Sequence, residues 1–340
     1  MKVAVYYSND DLRIEERPAP VISDGEILVR MMASGICGTD VMQWYRQKKA
    51  PRVLGHEMAG EIAAVGKGVE KLRPGDRVFV SHHVPCYRCH YCAGGNFTAC
   101  ESLHTGNYDP GGFSEYIRVP IQNVNFGTFL LPDGMSYEEA AMIEPLACAV
   151  LGHRELDVRK GHTVLIIGSG ISGLLHIRLA KLKGATVVAT DIDKYRLDKA
   201  REFGADHVLK ADAYSVDRLK EINRGELAER VVVCAGVKQA VDSAIASVDR
   251  RGRILFFAVP EGDINVPSLR FWRDEIAVSF SYGAAPADLQ EAIELIGMGM
   301  VDVRKMVTHR IPLSDIGKGF KLVSQPRDSL KVVIVPDSAF

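Results

Sequence analysis

Cysteine falls at positions 86, 89, 92 and 100, in the run CYRCHYCAGGNFTAC. The spacing is C-x2-C-x2-C-x7-C. Four thiolates from one short segment close a tetrahedral zinc site and leave no position for water or substrate. Such a metal holds a loop and does not react. Gly94 and Gly95 suit the tight turns of a wrapped loop. Ligation of this kind is worth about 10–16 kcal/mol at neutral pH, enough to order a segment with no core of its own. A redox C-x-x-C would open a helix of a βαβ unit, and this stretch does not read as one.

Three other stretches supply ligand types. GICGTD carries Cys37, GHEMAGEIAAVGKGV carries His56 and Glu57, and IEPLAC carries Glu144. One thiolate, one imidazole and one carboxylate make three protein ligands with a fourth position open. An open zinc is a Lewis acid that acidifies bound water or alcohol. Taken singly, Cys37 reads as a small core residue and His56 as hydrogen-bonded structure.

Residues 163–191 read TVLIIGSGISGLLHIRLAKLKGATVVATD. The apolar run Val164–Ile167 predicts a buried parallel strand. The turn Gly168-Ser169-Gly170-Ile171-Ser172-Gly173 follows, then a helix with Leu174, Ile177 and Leu182 on its apolar face, then a second strand ending at Asp191. This is the dinucleotide fingerprint in its required setting. The glycines make the turn and admit the pyrophosphate, and the helix N-terminus faces its charge. Asp191, eighteen residues past Gly173, is placed to accept from the adenosine ribose hydroxyls. Its charge favours NAD over NADP. Arg196 lies close enough to temper that preference, although it also reads as a solvated helix residue.

The elements that must position these groups fit into 340 residues, a length for about two domains. Hydrophobic residues are 47% and charged residues 25%, ordinary for a globular chain. With 42 basic and 43 acidic side chains the net charge is −1. No basic stripe stands out, so neither nucleic acid nor an anionic membrane is the expected partner. No apolar run is long enough to span a bilayer and no signal core opens the chain. A cytoplasmic location is expected, where the seven cysteines stay reduced.

Taken together, the sequence resembles the zinc-containing medium-chain dehydrogenases, the alcohol, sorbitol and threonine dehydrogenase family. The resemblance runs through Cys37-Gly-Thr-Asp40, Gly55-His-Glu-x-x-Gly60, Pro74-Gly-Asp-Arg-Val78, the four-cysteine lobe and Gly111-Gly-Phe-x-Glu-Tyr116. It continues through the GSGISG turn, Phe203-Gly-Ala-Asp206 and Thr308-His309 to Lys331-Val-Val-Ile334. It implies an α/β chain: a GroES-like β-barrel catalytic domain at 1–150 and 284–340, interrupted by a Rossmann NAD-binding domain at 151–283.

The glutamate in EPLAC places the chain with the sorbitol, polyol and threonine dehydrogenases, so Cys37 and His56 would bind zinc with either Glu57 or Glu144. The resemblance makes Thr39 the hydroxyl that receives the alcohol proton before hydride passes to the nicotinamide. Many relatives carry a histidine three residues on, where this chain has Met42, so the onward proton path must differ. In sorbitol dehydrogenases an Arg-Tyr pair contacts the polyol. Ser281 and Tyr282 stand there in this chain, which argues against sorbitol itself.

The expected substrate is a small-molecule alcohol, oxidised at a secondary carbon of a polyol, sugar or cyclitol. Oxidation of an amino alcohol such as threonine is the alternative, and a noncatalytic zinc-lobe interaction protein a remote one. Relatives form homodimers and homotetramers by extending the cofactor-domain sheet. The alternating Ile276, Val278 and Phe280 could supply the edge strand.

Overall fold

The computed structural model describes residues 1–325 and 327–339. The chain divides into two compact units, Met1–Ala147 with Gly283–Phe340, and Cys148–Tyr282.

The first unit opens with β1 (Lys2–Ser8), β2 (Asp11–Glu16), β3 (Ile27–Gly35), β4 (Arg52–Val53), β5 (Glu57–Val65), β6 (Arg77–Ser81), β7 (Tyr116–Val119) and β8 (Thr128–Leu130). The second holds β9 (Thr163–Ile167), β10 (Thr186–Asp191), β11 (His207–Lys210), β12 (Ala228–Val233), β13 (Val248–Phe256) and β14 (Ala277–Phe280). The chain then returns to the first unit with β15 (Val307–Pro312) and β16 (Lys331–Val335).

In the first unit β2-β1-β4 form a small antiparallel sheet. The larger sheet runs β15-β16-β3-β5-β6-β8, with β7 also paired to β3. Alternation drives it: Ile27, Val29, Met31 and Ala33 of β3 are buried while Arg30 is exposed. One apolar core, including Tyr6, Val53, Met31, Met58, Val78, Val332 and Phe320, is shared by both sheets.

Register decides where the chemistry can be. Gly35 at the end of β3 stands opposite Glu57, the first residue of β5, and opposite Val333 of β16. Glu57 in turn stands opposite Ser81, the last residue of β6. So Cys37, His56, Glu57, His82 and Lys331 all emerge where four strands end together.

The second unit is a six-stranded parallel sheet in the order β11-β10-β9-β12-β13-β14. Counted within the unit this is 3-2-1-4-5-6, the doubly wound dinucleotide-binding order, whose switch point lies beside its first strand. All five residues of β9 are buried, as the uninterrupted apolar run requires. β14 is the edge strand, and Phe280 on it is 63% exposed. No helix among the described residues is long and apolar enough to cross a membrane.

Candidate functional site

The four-cysteine run forms a small lobe. Cys86, Cys89, Cys92 and Cys100 each present a sulfur within 4.8 Å of the others. All four are free thiols. Cys89 and Cys92 sulfurs are 3.5 Å apart, and those of Cys86 and Cys92 are 4.0 Å apart. Four sulfurs at about 2.3 Å from one zinc stand roughly 3.8 Å from each other, so the set fits that ion. The backbone prepares it: N–H groups of Arg88 and Cys89 bring the Cys86 thiol down to about 6, against the pull of burial. The lobe's own core is little more than Leu103 and Phe97 packed on the cysteines.

The second cluster is Cys37, His56 and Glu57, whose ligand atoms also lie within 4.8 Å of one another. Each comes from a strand end. Cys37 follows β3, His56 precedes β5, and Glu57 begins it. Glu57 is 1% exposed, and its carboxylate lies over Gly35, where a Cβ would stand 2.0 Å from Oε2. Glycine there is required by that close approach.

Three residues whose roles the sequence reading did not assign complete the cluster. Lys331 is 1% exposed and donates from Nζ to both Glu57 oxygens, at 2.8 and 2.6 Å, and to the Ile36 carbonyl at 3.3 Å. Burial alone would push the Lys331 ammonium down, but Glu57 and Cys37 outweigh it and push it up. The signal for Lys331 was present in the sequence. A lysine opening the wholly apolar strand KVVIV needs a buried anion.

Asp40 is fully buried and sits 3.4 Å from His56 Nδ1, while its other oxygen accepts from the Cys37 N–H at 3.1 Å. Burial opposes its charge, yet His56, Arg46 and the Cys37 N–H hold its carboxyl below the usual range. Asp40 thus stands behind the His56 ring, the place from which a carboxylate would orient a metal-ligating imidazole. Burial would lower His56, but Asp40 and Cys37 raise it well above an ordinary histidine.

Arg46 is the third. Its Nε donates to the Thr39 carbonyl at 2.9 Å and its Nη2 to Thr39 Oγ1 at 3.0 Å. Thr39 Oγ1 lies 3.3 Å from Cys37 Sγ. The hydroxyl expected at the reacting alcohol is thus held within reach of the Cys37 thiol. Arg46 positions it and, having no acceptor, cannot carry its proton onward.

Neutral rings flank these charges. His82 lies against His83 in a tilted arrangement with centroids 3.7 Å apart, and lies 5.0 Å from the His56 ring and 6.4 Å from Tyr108. Burial, then neighbouring imidazoles, pushes His82 well down and His83 to about 3. Burial and the Glu144 carboxylate raise Tyr108. Tyr108 hydroxyl and His82 Nδ1 are buried without a hydrogen-bond partner among the described residues. Glu144 is 9% exposed and lies outside the 4.8 Å cluster, though its charge is felt by both Tyr108 and Lys331.

In the second unit the glycine turn joins β9 to the helix Ile171–Leu182. Gly168 has φ +94°, and a Cβ on Gly173 would stand 2.0 Å from the Gly168 carbonyl oxygen. Both positions require glycine. Asp191 ends β10 and accepts from the Ser169 N–H at 2.7 Å and the Asp193 N–H at 2.9 Å. The Arg196 guanidinium stands 3.8 Å from where a Gly170 Cβ would be. It lies over the turn and is half-buried, not simply solvated. Ser281 and Tyr282 fall just past β14. Tyr282 is about half exposed and the Ser281 hydroxyl is buried.

Comparison with known proteins follows this division of the chain. Residues 23–127 match the family model "Alcohol dehydrogenase GroES-like domain", and residues 172–297 match "Zinc-binding dehydrogenase". The chain is 33% identical to sorbitol dehydrogenase of Bacillus subtilis (strain 168), over 99% of this chain and 98% of that protein. The chain belongs to the zinc-containing medium-chain alcohol dehydrogenases. It is also 31% identical to L-galactonate-5-dehydrogenase of Escherichia coli (strain K12), over 98% of both chains. Among solved structures it is similar to an oxidoreductase of unknown specificity from Escherichia coli, with a TM-score of 0.90 and 28% identity over 99% of each chain. The fold is therefore the GroES-like and Rossmann pair of that family, and the chain is an oxidoreductase of its polyol subgroup.

Proposed function

We propose that this medium-chain dehydrogenase oxidises a secondary alcohol of a polyol or sugar-like substrate to a ketone, with NAD as hydride acceptor. The observation that carries the reading is the cluster of Cys37, His56 and Glu57, held between Asp40 and Lys331 at the ends of four strands. Cys37 and His56 would hold the catalytic zinc. Glu57 is neutralised by Lys331 at both oxygens, so it serves as the reserve ligand, and Glu144 lies within electrostatic range to complete the set. When bound, this zinc supplies Lewis acidity that acidifies an alcohol toward neutral pH.

Thr39 takes up the alcohol proton, held in place by Arg46. Arg46 and Met42 cannot pass it on, so it leaves by water or by the cofactor. His82 and Tyr108 offer unpaired polar atoms beside His56, suited to a substrate with several hydroxyls. Gly168, Gly170, Ile171, Ser172 and Gly173 would take the pyrophosphate, and Asp191 the ribose, which supports NAD. Arg196 over Gly170 would add a donor there. Cys86, Cys89, Cys92 and Cys100 would hold the structural zinc. The exposed edge β14, with Phe280 and nearby Trp272 outward, is the surface for a homodimer or homotetramer.

The test is NADH formation across polyols, sugars, cyclitols and L-threonine, with and without a zinc chelator. Turnover of a polyol that chelation abolishes is the expected result. An absence of turnover across the panel by protein with zinc bound overturns the reading, and turnover of threonine alone moves it to an amino alcohol.

A further inference from the structure

From Val41 to His56 the chain carries Arg46, Lys48, Lys49 and Arg52 and no aspartate or glutamate. This segment links Thr39 to His56, the two sides of the site already described. Building on the dehydrogenase reading, we propose that it forms an anion subsite, and that the alcohol substrate bears an acid group, a carboxylate or a phosphate monoester, which Arg46 and Arg52 receive.

The cations are gathered, not scattered. Tyr45 carries the Arg46 guanidinium 5.1 Å from its ring centroid and the Lys49 ammonium 5.6 Å from it. Arg52 lies on β4, opposite Tyr6 of β1, and is half-buried. Arg46 is partly engaged: Nε and Nη2 hold Thr39 and Nη2 lies 3.4 Å from Asp40, while Nη1 makes no hydrogen bond among the described residues. Asp40 is the single carboxylate in that contact, and it also serves His56. The side chains of Arg52, Lys48 and Lys49 make no hydrogen bond or ion pair among the described residues.

Exposed lysines without partners are ordinary. A half-buried arginine within electrostatic reach of another is not, because both lose hydration and repel each other. Burial, and then the charge of Arg46, push the Arg52 guanidinium below its usual range. A carboxylate or phosphate between the two would relieve that cost, and the guanidinium fork matches either group bidentately. Since Arg46 also grips Thr39 Oγ1, the bound acid would lie on the substrate a few bonds from the reacting carbinol. A neutral polyol of equal length would leave Arg52 uncompensated and bind less well.

The experiment uses the full zinc-loaded chain with Trp272→Phe, so that Trp44, inside the segment, is the one remaining tryptophan reporter. Galactitol, galactonate and galactitol 1-phosphate are titrated by Trp44 fluorescence. At least one acid should bind about tenfold or more tighter than galactitol, and the preference should shrink in about 0.5 M salt. The acid that wins separates carboxylate from phosphate. Arg52→Met should remove the preference and Arg52→Lys should keep part of it. If Arg52→Met does not fold, Lys48→Met with Lys49→Met should reduce the preference about threefold.

Equal binding of all three compounds, binding of none, or a preference that survives these substitutions overturns the proposal. So does an Arg52→Met chain that loses NADH affinity in place of acid affinity, which would give the cluster to the cofactor's pyrophosphate. NADH formation across the substrate panel judges the dehydrogenase reading separately. An acid preference in a chain with no turnover leaves this subsite standing and that reading refuted.

Discussion

Replacing Lys331 by methionine strikes the residue on which the proposed reserve role of Glu57 depends. The pair is 1% exposed on either side, and the ammonium meets both carboxylate oxygens at 2.8 and 2.6 Å. Removing one member of a buried ion pair costs about 3–5 kcal/mol, because the other is left charged and dry. Lys331→Met should therefore lower stability by about that much when the catalytic zinc is absent. With zinc present the freed Glu57 would serve as a ligand beside Cys37 and His56. Part of the loss should then return, with tighter zinc retention and slower turnover. Adding Glu57→Gln removes the stranded charge, so the double variant should recover at least about 2 kcal/mol over Lys331→Met alone. Urea unfolding of the four chains of this cycle, with zinc and after dipicolinate, measures each term. A loss under about 1 kcal/mol in Lys331→Met, or no recovery in the double variant, would refute the reasoning.

Three further expectations follow from particular contacts. Gly173→Ala puts a methyl 2.0 Å from the Gly168 carbonyl oxygen, so NADH affinity should fall at least about tenfold by fluorescence titration, roughly 1.4 kcal/mol. His153 and His176 stack with centroids 5.1 Å apart, their ring nitrogens unpaired among the described residues. Burial pushes His153 down to about 4 and His176 well down. The unfolded chain takes up these protons first, so stability is full above about pH 6.5 and drains toward pH 4. The slope is about 1.4 kcal/mol per pH unit per proton, and urea unfolding of His153→Gln between pH 7 and 5 should show it reduced. Cys100→Ser should cost one zinc per chain by atomic absorption and open residues 86–105 to protease, since the lobe has so little core of its own.

The glycine turn, its strands and the acid at the end of β10 were legible because each is local. Apolar runs, glycine spacing and an eighteen-residue interval are all sequence distances. The cysteine lobe was legible for the same reason. Cys37, His56 and Glu57 could be named as ligand types, but their meeting depends on the register of β3 against β5, which spacing does not state.

Lys331 lies 274 residues from its partner Glu57. A lysine at the head of an apolar strand calls for a buried anion, but only the fold says which one. Arg46 was invisible for another reason. The expected relay position held Met42, and a residue that grips Thr39 from one helical turn further on leaves no family signature at the place one looks. The edge position of β14 also had to come from the sheet order, since alternation fits an edge strand and an interior one alike.

The proposed function places an open zinc site at Cys37 and His56, separate from the cysteine lobe, with the chemistry there. Metal content and NADH formation of Cys37→Ser beside the unaltered chain test it most directly. Two zinc ions per chain should fall to one, with the lobe still folded by protease resistance and NADH formation lost. Retention of two zinc ions, or turnover that survives the substitution, would contradict it.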